Sequence, residues 1–321
     1  MSYVSTAMKP KPTLGGPGTD QRKKSRAAAW ARRAPLLPAL IFVIITTQLP
    51  FAVTLVISFF NWNSLRPNDR GFAGLSNYIQ VFADPGLRHA VWVTILLTAS
   101  VVLISLVTGL LIALLLNQKF FGRGLVRTLL IAPFLVVPVA AALIWKHAIL
   151  NPVYGLINGI LTGIWELFGS QNPPQMDLLT DQPLAAIIAS LVWQWTPFMM
   201  LILLAGLQSR PADAIEAAQM DGANAWHVFR YITLPHLRQY LELGGLLGAI
   251  YIVQNFDAVF TLTSGGLGTS NLPYAVYKTF YIANEYGVAS AAGVVTVAGS
   301  LIVATFALRT VFSIFKKEAA R

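Results

Sequence analysis

One apolar run decides most of what this chain can fold into. From Leu36 to Phe60 the sequence offers 25 residues without a charged side chain. As a helix that is roughly 37 Å, enough to cross a bilayer with some tilt. The run is too long for the apolar region of a secretory signal and lacks a clear small-residue cleavage site, so it reads as an anchor that stays. Only 11% of the chain is charged while 55% is hydrophobic. Soluble domains carry about a quarter charged residues. The expectation is an all-α, polytopic membrane protein.

Five further apolar stretches repeat the pattern, giving six transmembrane helices over about 36–60, 89–116, 125–149, 184–207, 236–262 and 287–315. Pro133 and Pro138 should kink the third, and Pro197 should interrupt the fourth. Between the third and fourth, Leu156 to Phe168 has helical apolar spacing and suits an interfacial helix. Residues 1–34, rich in Lys, Arg, Gly and Pro, read as a disordered basic cytoplasmic tail, and 35–321 as the six-helix domain.

Charge sets the orientation. The tail carries eight Lys and Arg, the loop at 118–127 three, the loop up to Arg238 three and the carboxy-terminal end four. Only Arg66, Arg70, Arg88, Lys146 and Lys278 fall on the other side. The positive-inside rule then predicts both termini in the cytoplasm of a multi-pass plasma-membrane protein. The basic excess sits at segment ends, so lipid headgroups rather than nucleic acid are the expected partner.

A polar stretch, Pro211 to Pro235, separates the fourth and fifth spans. Ser209 can cap a helix beginning near Pro211, with Asp213 and Glu216 in its early turns. Gly222 offers a stop, a second short helix can run from about Asn224 to Ile232, and Thr233-Leu-Pro235 ends it. Ala217 and Ala218 leave one surface nearly bare, which suits close approach by another backbone. Glu216-Ala-Ala, Asp221-Gly-Ala223 and Ile232-Thr-Leu-Pro235 together resemble the cytoplasmic EAA loop, here 208–235, of permease subunits in bacterial type I ABC importers. The resemblance implies that Glu216, Ala217, Ala218, Asp221, Gly222 and Ala223 belong to a coupling helix docking on an ATPase.

Two stretches inside the spans could carry chemistry. Leu191, Gln194, Trp195 and Phe198 share one face of the fourth helix. An amide beside aromatic rings suits a neutral polyhydroxyl ligand, and packing between helices is the competing role of the rings. In the fifth helix Gly244, Gly245 and Gly248 permit close packing, while Gln254, Asn255 and Asp257 are polar near its outer end. Asn255-Phe-Asp257, Leu262-Thr-Ser-Gly-Gly266, Tyr277-Lys-Thr-Phe280 and Tyr286-Gly-Val-Ala289 resemble the carbohydrate-importing branch, of maltose and glycerol-phosphate type. That resemblance implies a sugar site at Leu191, Gln194, Trp195, Phe198, Gly248 and Ile252, to which the polar Asn255 is added. It also implies a second homologous permease subunit, two ATPase subunits holding ATP and Mg, and an external solute-binding protein.

The sequence excludes other chemistry. There is no cysteine, no phosphate-cradling Gly-x-x-x-x-Gly-Lys-Ser/Thr, and no metal-ligand spacing among the four histidines. No enzyme activity and no cofactor are expected in this chain. A secondary transporter should show an ionisable relay or inverted repeats, and neither is visible. A non-transporting membrane scaffold would explain six helices but not the coupling-loop spacing.

Overall fold

The computed structural model describes residues 34–169 and 173–318. The expected basic tail therefore lies, Ala34 apart, outside the described residues. The chain divides after Val53 into two units. The first is represented by the greater part of α1 (Leu37–Ile57).

The second unit opens with a departure from the all-helical expectation. Two-residue strands β1 (Phe60–Asn61) and β2 (Gly71–Phe72) pair antiparallel, with Phe60 opposite Phe72. Then follow α2 (Ser76–Ala83) and the long α3 (Pro85–Asn117). Asp84 caps α3 by accepting from the Leu87 amide at 2.7 Å, and Pro85 takes the first turn, where its missing N–H costs nothing.

The third apolar stretch is two helices, α4 (Arg123–Leu135) and α5 (Pro138–Leu143), extended by a π-helical turn at Ile144–Ile149. They meet at 98°. Pro133 lies within α4 without ending it. The break falls at Val136 and Val137, both extended, because a residue before proline is driven out of the helical region. Next come α6 (Leu156–Leu167), the interfacial candidate, and the short α7 (Leu178–Asp181).

Helix α8 (Pro183–Gln208) passes unbroken through Pro197, so the expected interruption is absent. The loop helices α9 (Ala212–Met220) and α10 (Ala225–Val228) follow. A π-helical turn at Phe229–Thr233 leads directly into α11 (Leu234–Ile252). Pro235 was expected to end the second loop helix. Instead it sits in the first turn of α11, where no amide is needed, and the chain enters the span without a stop.

The fifth stretch also breaks. Beyond Val253–Phe256 lies α12 (Asp257–Thr263), bent 54° from the preceding helix. Short α13 (Leu272–Tyr277), a π-helical turn and the 33-residue α14 (Tyr286–Glu318) complete the fold. By length and apolarity the described residues give three unbroken spans, or five if each bent pair counts as one. The described apolar part of α14 runs only Tyr286–Ile302, so six spans are not established by this criterion.

Between helices in lipid the hydrophobic effect has little to choose, so close packing holds them together. Where α3 crosses α8, a Cβ on Gly109 would lie 2.9 Å from the Met200 amide nitrogen. Thr108 and Thr196 hydroxyls meet across the same seam at 3.0 Å. Leu97, Val101, Leu191, Ile252 and Val259 form the buried cluster that joins α3, α8, α11 and α12.

Candidate functional site

Both helix breaks open onto one cavity of about 270 Å³. Phe134, Val136 and Pro138 line it from the first break, Gln194 and Trp195 from α8, and Tyr251, Gln254, Asn255, Phe256 and Asp257 from the second. A broken helix exposes carbonyls that lipid cannot satisfy, and two side-chain amides meet that need here. Gln194, 7% exposed, donates from Nε2 to the Val136 carbonyl at 3.1 Å. Buried Asn271 donates from Nδ2 to the Asn255 carbonyl, and its Oδ1 caps α13 at the Tyr274 amide, 3.2 Å away.

The aromatic wall is continuous. Phe134 stacks on Phe198 with ring centroids 5.3 Å apart, and Trp195 meets Phe134, Phe198 and Tyr251 at 5.6–5.7 Å. The polar wall carries Gln254, Asn255 and Asp257; Asn255 Oδ1 is itself buried, with no hydrogen-bond partner among the described residues, and Asp257 opens the first turn of α12. No Lys or Arg is among the lining residues.

The seven residues singled out for binding thus separate into two groups. Gln194, Trp195 and Asn255 line the cavity, with Phe198 stacked behind Phe134. Leu191 and Ile252, each 1% exposed, belong to the helix-packing cluster. Gly248 is where α11 meets α8, since a Cβ there would come 2.3 Å from Met199 Cε. The sequence reading missed Phe134, Val136 and Tyr251. The Pro133 and Pro138 pair was the signal for the first two, because a break between them turns α4 into a cavity wall.

The second region is the loop between α8 and α11. Helix α9 has no buried residue; Glu216, Ala217, Asp221 and Gly222 are exposed, Ala218 and Ala223 half-buried. Gly222 stops it in the left-handed region at φ +83°. Its amide donates to Gln219 at 3.0 Å and the Ala223 amide to Ala218 at 2.9 Å, the paired bonds of a Schellman ending. Asn224 caps α10 at the His227 amide, 2.9 Å away. Met220, Trp226 and Tyr231 are 89%, 66% and 72% exposed, an apolar surface beside the acids that the sequence reading did not single out.

Ser209 is not the cap of α9. Pro211 occupies that position, and the Ser209 hydroxyl turns instead to His236 and Tyr240. Arg210 donates from Nε to the Leu207 carbonyl and from Nη1 to the Thr233 hydroxyl, and burial lowers its guanidinium from the ordinary value.

An exposed helix–glycine–helix loop between apolar helices, and a cavity between two broken ones, are the features expected of a membrane transport component. The chain belongs to the binding-protein-dependent transport system inner membrane component family, whose model matches residues 105–314. It is a multi-pass ABC importer permease subunit. It is 35% identical over 258 residues to a probable ABC transporter permease of Sinorhizobium fredii, covering 79% of this chain and 81% of that one. It is 34% identical over 288 residues to the trehalose/maltose transport system permease of Thermococcus litoralis, covering 89% and 92%. The fold matches a chain of a bacterial ABC transporter that imports the acidic polysaccharide alginate. The TM-score is 0.77 at 22% identity, with 92% of this chain and 99% of that one covered.

Proposed function

We propose that this chain moves a neutral sugar, oligosaccharide or sugar alcohol through the cavity at the two helix breaks. The observation that carries the reading is the lining: aromatic faces for the C–H faces of a sugar ring, acceptors for its hydroxyls, and a carboxylate with no Lys or Arg among the described lining residues. Gln194, Gln254, Asn255 and Asp257 are the hydrogen-bonding side chains among the lining residues that the hydroxyls of such a ligand would require. An anionic sugar entering the same space would face Asp257 unneutralised. The named function of the Thermococcus litoralis relative supports the sugar class.

In this reading residues 35–321 form a six-span permease domain and 1–34 a cytoplasmic tail. A second, homologous permease completes the pathway, and an external solute-binding protein delivers the ligand. Two ATPase subunits bind ATP and Mg, and α9 docks on one of them through Glu216, Ala217, Ala218, Asp221, Gly222 and Ala223. The termini and the loop face the cytoplasm.

The test is uptake by proteoliposomes holding the complete complex, with binding protein outside and ATP inside. Trehalose, maltose, sucrose and a digalacturonate serve as labelled probes. One or more neutral sugars should accumulate only with internal ATP and regardless of a protonophore, and the digalacturonate should not. Uptake that follows a proton gradient would identify a secondary transporter and overturn the reading. Gly222→Pro in the same assay should abolish uptake, since proline holds φ near −65° and removes the amide that bonds Gln219. Native absence of cysteine allows an orientation test: cysteines introduced at 68 and 268 should react with an impermeant thiol reagent in intact cells, and one at 225 should not.

A further inference from the structure

The two ends of the coupling loop are fastened to each other by side chains that face neither the cavity nor the exposed surface of α9. Ser209, one residue past α8, donates to the Gly206 carbonyl at 3.0 Å. Its oxygen lies 2.7 Å from Tyr240 Oη and 3.1 Å from His236 Nε2, both on α11. A hydroxyl has one donor and two acceptor positions, so Ser209 is fully used when tyrosine and imidazole both donate to it. Beside it Arg210 reaches the Thr233 hydroxyl at 2.6 Å. The Tyr240 ring lies so close to Gly206 that a Cβ there would come within 2.6 Å of Cδ2.

The seam continues up the same two helices. Gly244 and Gly248 admit the Met199 side chain, with a Cβ at Gly244 3.3 Å from its sulfur. Helix α8 then carries Gln194 and Trp195 to one cavity wall, and α11 carries Tyr251 to the other, with Gln254 two residues past its end. A loop tied at one end only would absorb a push on α9 by local rearrangement. Tied at both ends, it passes the push to both walls at once.

We infer that Ser209, His236 and Tyr240 are positioning residues that lock the loop to α8 and α11, so that displacement of α9 moves both cavity walls as one body. The inference rests on the coupling role proposed above for the loop. None of the three touches ligand or ATPase in this reading; they act by fixing what does.

The experiment measures sugar transported per ATP hydrolysed by the reconstituted complex, with trehalose as probe, or whichever neutral sugar of the panel is taken up. Ser209→Ala combined with Tyr240→Phe should leave complex yield and binding-protein-stimulated hydrolysis within about twofold. The transport-to-hydrolysis ratio should fall roughly fivefold or more, about 1 kcal/mol by the tenfold-per-1.4 relation. Ser209→Thr, which keeps the hydroxyl, should hold the native ratio. In a Ser209→Cys, His236→Cys chain a short bifunctional thiol reagent should restore the ratio, because the bridge replaces the hydrogen bonds.

A native ratio in the double variant, or a bridge that stops transport, overturns the inference. If the double variant fails to assemble, Tyr240→Phe alone decides, since it removes one oxygen and leaves the ring on Gly206. Gly222→Pro separates the two levels. If it too transports normally, the coupling role of the loop fails. If it is inactive while the clamp variants keep the native ratio, only the clamp is refuted.

Discussion

Two neighbouring stretches that line the cavity, α4–α5 and α8, both carry prolines, and the chain answers Pro138 and Pro197 in opposite ways. Helix α4 gives way to α5 through a 98° break at Val136–Val137, just before Pro138. Helix α8 runs straight through Pro197. The local chemistry is the same: proline removes a donor and crowds the residue before it. The surroundings differ. Helix α4 has no buried residue in this chain, whereas Thr196, Pro197, Met199 and Met200 of α8 are all buried, against α3 on one side and α11 on another. Burial by neighbours separates Pro197 from Pro138, but it is not the sole determinant, since α4 continues through Pro133 with no buried residue.

Gln194 connects the two behaviours, because the unbroken helix supplies the amide that satisfies the broken one. Among variants of the cavity wall, Gln194→Leu should therefore have the largest effect. It strips the Val136 carbonyl of its partner, about 1–3 kcal/mol for a buried group, and removes a polar group from the cavity wall. Uptake should fall about tenfold or more, with a lower melting temperature of the purified complex. A variant that melts lower yet transports normally would show that Gln194 serves the break alone and leave the ligand to other groups.

Trp195→Leu comes next. It keeps an apolar side chain on α8 but removes the ring that meets Phe134, Phe198 and Tyr251. Aromatic contacts of this kind are worth about 0.5–1.5 kcal/mol beyond area. The KM for uptake should rise several-fold with little change in maximal rate, and an unchanged KM would place the sugar away from this wall. Pro138→Ala should do less. Position 138 is in the first turn of α5, where an amide has no helical partner anyway. With Gln194 still on Val136 the break should persist, and uptake should fall about twofold. A collapse of uptake would mean that Pro138, and not the Gln194 hydrogen bond to Val136, keeps the helix bent.

How far the sequence discloses this arrangement depends on the range of the forces involved. Apolar runs reveal helices because a buried or lipid-facing backbone must satisfy itself locally. Gly222 was legible for a similar reason, since a left-handed ending is a one-residue requirement. Ser209 was not. It has the right chemistry for a cap, but Pro211 fixes its own backbone and takes that place, and only the folded chain brings His236 and Tyr240 to the hydroxyl. Thr233-Leu-Pro235 reads as a stop, yet a π-helical turn lets α11 start around the proline. Gln194 shows the same limit: an amide in a span needs a partner, and the sequence offers a ligand more readily than a carbonyl 58 residues away. Leu191, Gln194, Trp195 and Phe198 do share a helical face, but burial of Leu191 against α3 and α11 depends on contacts that spacing along one helix cannot encode.

The smallest expected effect is at Pro197, and it tests the contrast most directly. Proline there cannot donate to the carbonyl of Trp193, so one rung of the α8 ladder is missing. In an exposed helix that defect, with the ring clash, costs about 3 kcal/mol. Pro197→Ala would restore the rung and relieve the clash, but it removes buried methylene groups from a tight seam, at about 0.8 kcal/mol each on the burial scale. The two effects oppose each other. The melting temperature should move by no more than a few degrees, in line with a net change of about 1 kcal/mol. Uptake should stay within about twofold, because the helix is already continuous and the Gln194 and Trp195 side chains keep their positions. Uptake and melting measured on the same preparation decide it. A tenfold loss of uptake in a complex of native stability would show that α8 flexes at Pro197 during transport, and the division between a bending wall and a rigid one would then have to be abandoned.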